Sequence, residues 1–314
     1  MCPHIPSFHS SRSRSRTMLV IAILATILAT VNATNLRTLS QSLLDPTKTE
    51  WGGAGGNAYV IRFIKSDKSV NIDKGVVAKA FRNKEDRDEA YSDLAKLPNL
   101  RVLAGLAYPK GDQDDNTFEG DCVHVDPEKD CCGGMKASDT CYFLALDNAG
   151  DKTMEQCMAN PTIGYKTIKY MTVQALDDIK TIHKRGWSHN DYQLKNIMFN
   201  TNCQSASLRA CDLDGMSQKN VGGVRMMRDL AMMLGTCQAG GWEFDETLNS
   251  KADAKSKEMA KAIYEVSKTI MKDYCDILNV VECKDDEKSD ACVKASGDVK
   301  HVTNALIKGI KSIK

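Results

Sequence analysis

The chain has almost no excess charge of either sign. Its 42 Lys and Arg stand against 41 Asp and Glu, for a formal net charge of +1 over 314 residues. No basic stripe interleaved with aromatics runs along it to track a phosphate backbone, which argues against nucleic acid as a partner. It also lacks an apolar run of the roughly 20 residues needed to cross a bilayer. The candidate, Met18 to Val31, is shorter, follows the basic stretch "SSRSRSR" and ends in Val31-Asn32-Ala33. That order suits a secretory signal peptide over residues 1–33, an uncut anchor being the alternative, and no stable membrane span is expected once the signal is cleaved. No internal repeat and no paired C-x-x-C set is present, so a standard zinc module is not expected.

Cysteine is abundant. Removing Cys2 with the signal leaves eleven, at Cys122, Cys131, Cys132, Cys141, Cys157, Cys203, Cys211, Cys237, Cys275, Cys283 and Cys292. Such density belongs to an oxidising compartment and implies several disulfides, with at least one thiol left over because the count is odd. Zinc held by the group from Cys122 to Cys141 is the competing reading.

After a polar leader over 34–50, "WGGAGGNAYVIRF" reads as strand, tight turn and strand, and "GVVAKAF" as a further strand. "KEDRDEAYSDLAKL" places Ala90, Leu94 and Leu97 on one helical face before Pro98. Residues 110–140 are rich in Asp, Gly and Cys and read as a disulfide-pinned loop. "CYFLALDNAG" reads as a buried strand ended by a turn. From Tyr165 to Arg185, Ile168, Met171, Ala175, Ile179 and Ile182 recur at helical spacing, and helical patterns fill most of the chain after Val224. The expected class is α+β, with a small β-rich part over 51–146 and a mainly helical part over 147–314.

Inside the second part stands "KRGWSHNDYQLKNIMFN", followed by "CDLDG" at the end of an apolar strand. A base or positioner for a hydroxyl, oxygen ligands for a metal ion, and cationic or backbone dipoles around phosphates are what phosphoryl transfer requires. Taken singly, each stretch has a plainer reading: a satisfied turn at His189 to Asn196, an acidic β-turn at Asp212 to Gly215, a flexible glycine linker, a solvated lysine. Their order along the chain resembles that of the protein kinase-like superfamily, from about Gly52 to Leu234. By that resemblance the fold is bilobal, with a small β-rich N-lobe carrying a Cys-rich insert and a mainly helical C-lobe, and the chain binds ATP and Mg2+.

The same resemblance implies roles residue by residue. Asp191 faces the acceptor hydroxyl, with His189 bracing the loop and Lys195 beside it; Asn196 and Asp212 hold metal, joined by Asp214. The "GAGGNAYV" stretch, with Gly53, Gly55, Gly56, Asn57, Ala58 and Val60, is similar to the glycine-rich phosphate cover, Ala58 replacing the third glycine. Lys79 matches the strand lysine that pairs with phosphates. Its expected helix partner is Glu89, with Glu85 and Asp93 as alternatives. Leu146 and Asp147 match the hinge that binds adenine through its backbone, and Asp229 the helix aspartate supporting the catalytic loop.

Two departures narrow the expectation. Asn190 stands where the family carries arginine, and only Leu213 to Arg228 separates Asp212 from Asp229, so an atypical, compact kinase active without segment phosphorylation is implied. The function so implied is a secreted ATP-dependent kinase acting on a protein hydroxyl; the alternatives are a small-molecule acceptor and a pseudokinase that only binds a partner. "RTLSQ", Arg37 to Gln41, resembles an export signal of intracellular parasites that would deliver the protein to a host cell, unless it is a plain leader.

Overall fold

The computed structural model describes residues 44–54, 58–125, 135–136, 139–203, 208–218, 223–237, 252–279 and 290–314. The signal, the leader motif, Gly55, Gly56, Asn57, Cys131, Cys132 and Cys283 lie outside these residues.

The first half of the chain is built on one antiparallel sheet. Strands β1 (Thr49–Ala54), β2 (Tyr59–Phe63) and β3 (Val77–Phe81) lead to helix α1 (Lys84–Ala95); β4 (Thr117–Asp121) and β5 (Thr140–Leu146) complete the order β1-β2-β3-β5-β4. Strand periodicity separates two faces. Tyr59, Ile61, Phe63, Ala78 and Ala80 are buried on one, where Phe143 and Leu44 join them. Val60, Lys79 and Leu144 are paired neighbours in a row on the other. That alternation aims Lys79 away from the sheet's own apolar cluster.

The stretch 110–140 is more ordered than its composition suggests. A helical turn, Gln113–Asn116, precedes β4, which pairs with β5 from Thr117↔Leu144 to Asp121↔Thr140. The strand escaped the reading by periodicity because it lies at the sheet edge and buries only Gly120. Cys122 bonds to Cys141 beside it, so a disulfide rather than zinc uses these two cysteines.

The second half is helical. Short strand β6 (Lys152–Thr153) runs into α2 (Met154–Met158), followed by α3 (Tyr165–Lys184). All five apolar residues that set the period of α3 are fully buried. Strands β7 (Trp187–Ser188), β8 (Ile197–Phe199), β9 (Arg209–Ala210) and β10 (Ser217–Gln218) carry the chain to α4 (Gly223–Leu234), α5 (Ala254–Asn279) and α6 (Asp290–Ser312). Helices α3 to α6 pack on one another around a second apolar cluster that includes Ile168, Ile179, Met227, Leu230 and Leu306. Among the described residues, no helix is long and apolar enough to cross a membrane.

Two further disulfides staple this half: Cys157 to Cys203, tying α2 to the turn after β8, and Cys237 to Cys275, tying the end of α4 to α5. The Cys157–Cys203 bond closes 46 residues of chain and is fully buried. Replacing both by serine is expected to lower stability by about 2–4 kcal/mol, mainly by freeing the unfolded chain. Urea unfolding checks this, and an unchanged midpoint would refute it.

Asp178 on α3 is 8% exposed, with one hydrogen bond from Gln174 Nε2 at 3.0 Å. Burial pushes its carboxyl up to about 6 from the ordinary 3.8, and neighbouring Asp177 adds to this while Gln174 opposes it. A raised folded pKa favours the protonated form, so its contribution is whole below about pH 4 and is lost as pH rises through about 6. Asp178→Asn removes the buried charge and should add about 1–3 kcal/mol at pH 7.5, with little change at pH 4. Urea titrations at the two pH values decide; an equal gain at both would show that charge is not the cause.

Candidate functional site

The loop after β7 is fastened before its acidic residue is presented. Tyr192 is fully buried and donates its hydroxyl to Ala175 O of α3 at 3.0 Å, pinning the loop floor. Asp229 of α4 is also fully buried. Its carboxylate accepts from His189 N at 2.8 Å, Asn190 N at 2.7 Å and His183 Nε2 at 2.9 Å. Two consecutive backbone N–H groups are thereby satisfied by one side chain, which a tight loop cannot do from its own carbonyls. Asp229 therefore supports this loop, as its place in the motif order implied.

His189 is buried, and burial lowers its pKa against the opposing pull of Asp229. The ring is neutral at physiological pH, and Nε2 donates to Cys211 O at 3.1 Å, which leaves Nδ1 as an acceptor with no hydrogen-bond partner among the described residues. His189 thus braces the loop against Cys211, directly after β9 and before Asp212.

The β8–β9 pairing, Ile197↔Ala210 and Met198↔Arg209, closes the distance between two motif residues far apart in sequence. It sets Asn196 beside Cys211, whose N–H donates to Asn196 O at 3.0 Å. Asp212 follows at once, in the left-handed region at φ 60° and ψ 57°. That conformation, uncommon outside glycine but tolerated by aspartate, turns the chain into the short helical turn Leu213–Gly215 and sets both Asp212 and Asp214 toward the sheet.

Lys79 Nζ lies 2.9 Å from Asp212 Oδ1, and 2.9 and 2.8 Å from the two oxygens of Asp214. Burial works against the charged ammonium, but Asp212 and Asp214 outweigh it and hold the Lys79 pKa above the ordinary lysine value. Asp212 is lowered in turn: burial opposes the shift, and Lys79 and a hydrogen bond with Asp214 overcome it. Asp191, half-buried, accepts from Asn196 Nδ2 at 2.7 Å and from Gln193 Nε2. Three carboxylates, one amide and one ammonium so converge from β3, the loop after β7 and the turn after β9. Cys211, the free cysteine among the described residues, has its thiol pushed up to about 12 by burial first and by Asp212 next, so it is a protonated neighbour of this cluster.

Not every expected residue joins them. Glu89 is exposed, and among the described residues it makes no ion pair; Lys79 is held by the two aspartates instead, which corrects the expected helix partner. The physical reason is helical phase. The inward face of α1 carries Arg87, Ala90 and Leu94, and Glu89 stands about 200° round from Arg87. Glu85 and Asp93 make no ion pair with Lys79 either, Asp93 bonding Lys96 at 2.9 Å. Lys195 is exposed on the turn Leu194–Asn196 and has no carboxylate partner among the described residues.

Of the glycine-rich stretch, the strand parts are described. Gly53 pairs with Val60 and Ala54 with Tyr59, after an irregularity between Trp51 and Gly53. A Cβ on Gly52 would stand 3.0 Å from the Val60 side chain, so the close strand approach suits glycine there. Ala58 is buried. Leu146 ends β5, paired with Val77, but Asp147 spends its N–H on Gly105 O at 2.9 Å and its carboxylate on Arg209 at 2.8 Å. The Asp147 N–H is therefore already satisfied within the protein. A pocket of about 460 Å³ near Asn148, Asp151 and Arg209 shares no residue with the Lys79 cluster.

Sequence reasoning missed four contributors: His183, Ser188, Ser217 and Arg225. Ser217 Oγ lies 3.0 Å from Ser188 Oγ and 3.2 Å from Arg225 Nη1. Ser188, although inside the quoted stretch, and Ser217 carry no signal of this kind, and only the pairing Ser217↔Ser188 of β10 with β7 brings them together. No protein-family model matches the chain, and no curated protein matches it in sequence.

Proposed function

We propose that the chain is a secreted, ATP- and Mg2+-dependent kinase of the protein kinase-like superfamily, with a bilobal arrangement of its sheet and helical halves, that transfers a γ-phosphoryl group to a protein hydroxyl. The observation that carries this reading is the meeting of two hydrogen-bonded groups from separate elements, Lys79 with Asp212 and Asp214, and Asp191 with Asn196, close enough that the Asp191 charge acts on Asp212. A binding module has no need to gather that set.

Among the described residues no three His, Cys, Asp or Glu side chains group as a metal cage, so the support for Mg2+ is the chemistry of two carboxylates and an amide. Asp212, Asp214 and the Asn196 amide supply hard oxygens, the ligands Mg2+ takes, and the Lys79 ammonium already rests against two of the carboxylates as a cation. Bound there, Mg2+ would neutralise charge on phosphate oxygens. With nucleotide bound, Lys79 would serve its phosphates, and Asp191 would orient the acceptor hydroxyl and take its proton as the γ-phosphoryl group passes to that oxygen and ADP leaves. His189, neutral, keeps the loop in place. Three disulfides accord with passage through an oxidising route.

A second reading, a small-molecule acceptor, is favoured by one observation. Directly after the Asp212 turn the chain pairs back on β7 at Ser217 and Gln218 and enters α4 at Gly223, a short path beside which to seat a peptide. The deciding experiment mixes purified protein with labelled ATP and both protein and small-molecule acceptors, alongside calorimetric binding of MgATP. Wild type is expected to transfer label, and Asp212→Ala and Lys79→Ala to weaken MgATP binding about tenfold or more. Binding without transfer to any acceptor or to water would leave the pseudokinase reading.

A further inference from the structure

Building on the kinase reading, we propose that Asn190 is a positioning residue: its side-chain amide clips the Asp212–Asp214 turn to the loop bearing Asp191, holding the two acidic groups at one spacing without covalent modification. Asn190 Nδ2 donates to Gly215 O, one residue after Asp214, and to Ser217 Oγ at 3.0 Å. Its Oδ1 accepts from Ser188 Oγ at 2.9 Å, and its own N–H is held by Asp229 at 2.7 Å. Both polar atoms of this side chain are thus engaged, Nδ2 across the gap between the two loops and Oδ1 by Ser188 of its own segment.

The backbone supports the choice of residue. Asn190 sits at φ 68°, a left-handed conformation that asparagine adopts more readily than other side-chain-bearing residues. Ser217, the other half of the clip, is braced by Ser188 and Arg225.

The clip matters because of what Lys79 does. In this structure the Asp212–Asp214 turn is held from the sheet side by Lys79 and from the loop side by Asn190. If phosphate draws Lys79 off the aspartates, as the kinase reading requires, the Asn190 contacts to Gly215 and Ser217 are the ones that would still tie the turn to the loop. Asn190 then keeps the metal-holding turn in register with Asp191 through the transfer step, a contribution to the transition state rather than to nucleotide binding.

Two variants of the full chain test this. Asn190→Gly relieves the backbone and removes the amide; Asn190→Asp keeps the shape and turn preference but removes both donors. Amide exchange at Met216 to Gln218 is expected to quicken about tenfold in both, with exchange at Leu230 in α4 unchanged. Turnover of MgATP should show kcat falling about tenfold or more and KM moving less than about twofold, whereas a merely structural role would change the folded fraction and leave kcat per folded molecule intact. Asn190→Gly combined with Ser217→Ala should lose less than the product of the single losses. Unchanged exchange, or an unchanged kcat beside an active wild type, overturns the proposal. A wild type that turns over nothing removes the kinase reading and the catalytic half of this one, while the exchange result still decides whether Asn190 is a clip.

Discussion

Asp191→Ala is expected, on the proposed kinase reading, to reduce phosphoryl transfer by about three powers of ten while leaving MgATP binding within about threefold of wild type. The asymmetry follows from where the carboxylate points its bonds. It accepts from Asn196 Nδ2 and Gln193 Nε2, while the Asp191 backbone carbonyl also accepts from Asn196 Nδ2, and the carboxylate takes no part in the ion pairs that hold Lys79. A group that orients and deprotonates the acceptor acts as bonds change and adds little to ground-state binding. Because alanine also releases the Asn196 amide, Asp191→Asn is the companion variant: it keeps an acceptor oxygen for Asn196 and removes the base, so it should lose nearly as much transfer. Single-turnover transfer and calorimetry on the same preparations give the answer. Transfer within tenfold of wild type for both variants would remove Asp191 from the chemistry.

The second large effect is on folding. Asp229→Ala is expected to cost about 3–5 kcal/mol, because it leaves the N–H groups of His189 and Asn190 and the Nε2 of His183 without their acceptor in a region closed to water. That is a large part of the 5–15 kcal/mol by which a domain of ordinary stability stays folded. Asp229→Asn keeps one acceptor oxygen and should lose less. Urea unfolding measures both; a loss under about 1 kcal/mol for the alanine variant would mean that water or another acceptor reaches these groups. Activity per folded molecule in Asp229→Asn adds a second reading, since a loosened loop should misplace Asp191 even where the fold survives.

The difference between these two aspartates also separates the roles that a short motif merges. Asp191 is half-buried with its contacts inside its own loop; Asp229 is sealed and spends both oxygens on its neighbours' donors. The first is placed to meet a ligand and the second cannot reach one.

Much of the scaffold was legible in the residues because its causes are local. Alternation in "YVIRF" and "VAKAF" put Lys79 on the face opposite Tyr59 and Ile61, and the helical spacing of Ile168, Met171, Ala175, Ile179 and Ile182 marked α3, since side-chain direction follows strand and helix period directly. Motif order was enough to name Asp191, Asn196, Asp212 and Asp214 together. The partner of Lys79 was not legible, because it depends on which way α1 rolls against the sheet. Packing Arg87, Ala90 and Leu94 inward turned Glu89 out, and the left-handed turn at Asp212 brought two aspartates to the lysine instead. Edge strand β4 buries too little to leave a periodic trace, and Asp147 loses its free amide to Gly105 through a contact that no local pattern encodes. Asn190 was visible only as a missing arginine; that its amide joins Gly215 and Ser217 to the loop follows from β10 folding back on β7, a pairing of two residues on each side. Local periodicity determined which elements form and which faces they bury. Which polar groups meet across them was decided by tertiary packing, because hydrogen bonds and ion pairs require ångström-scale placement that sequence spacing alone does not supply.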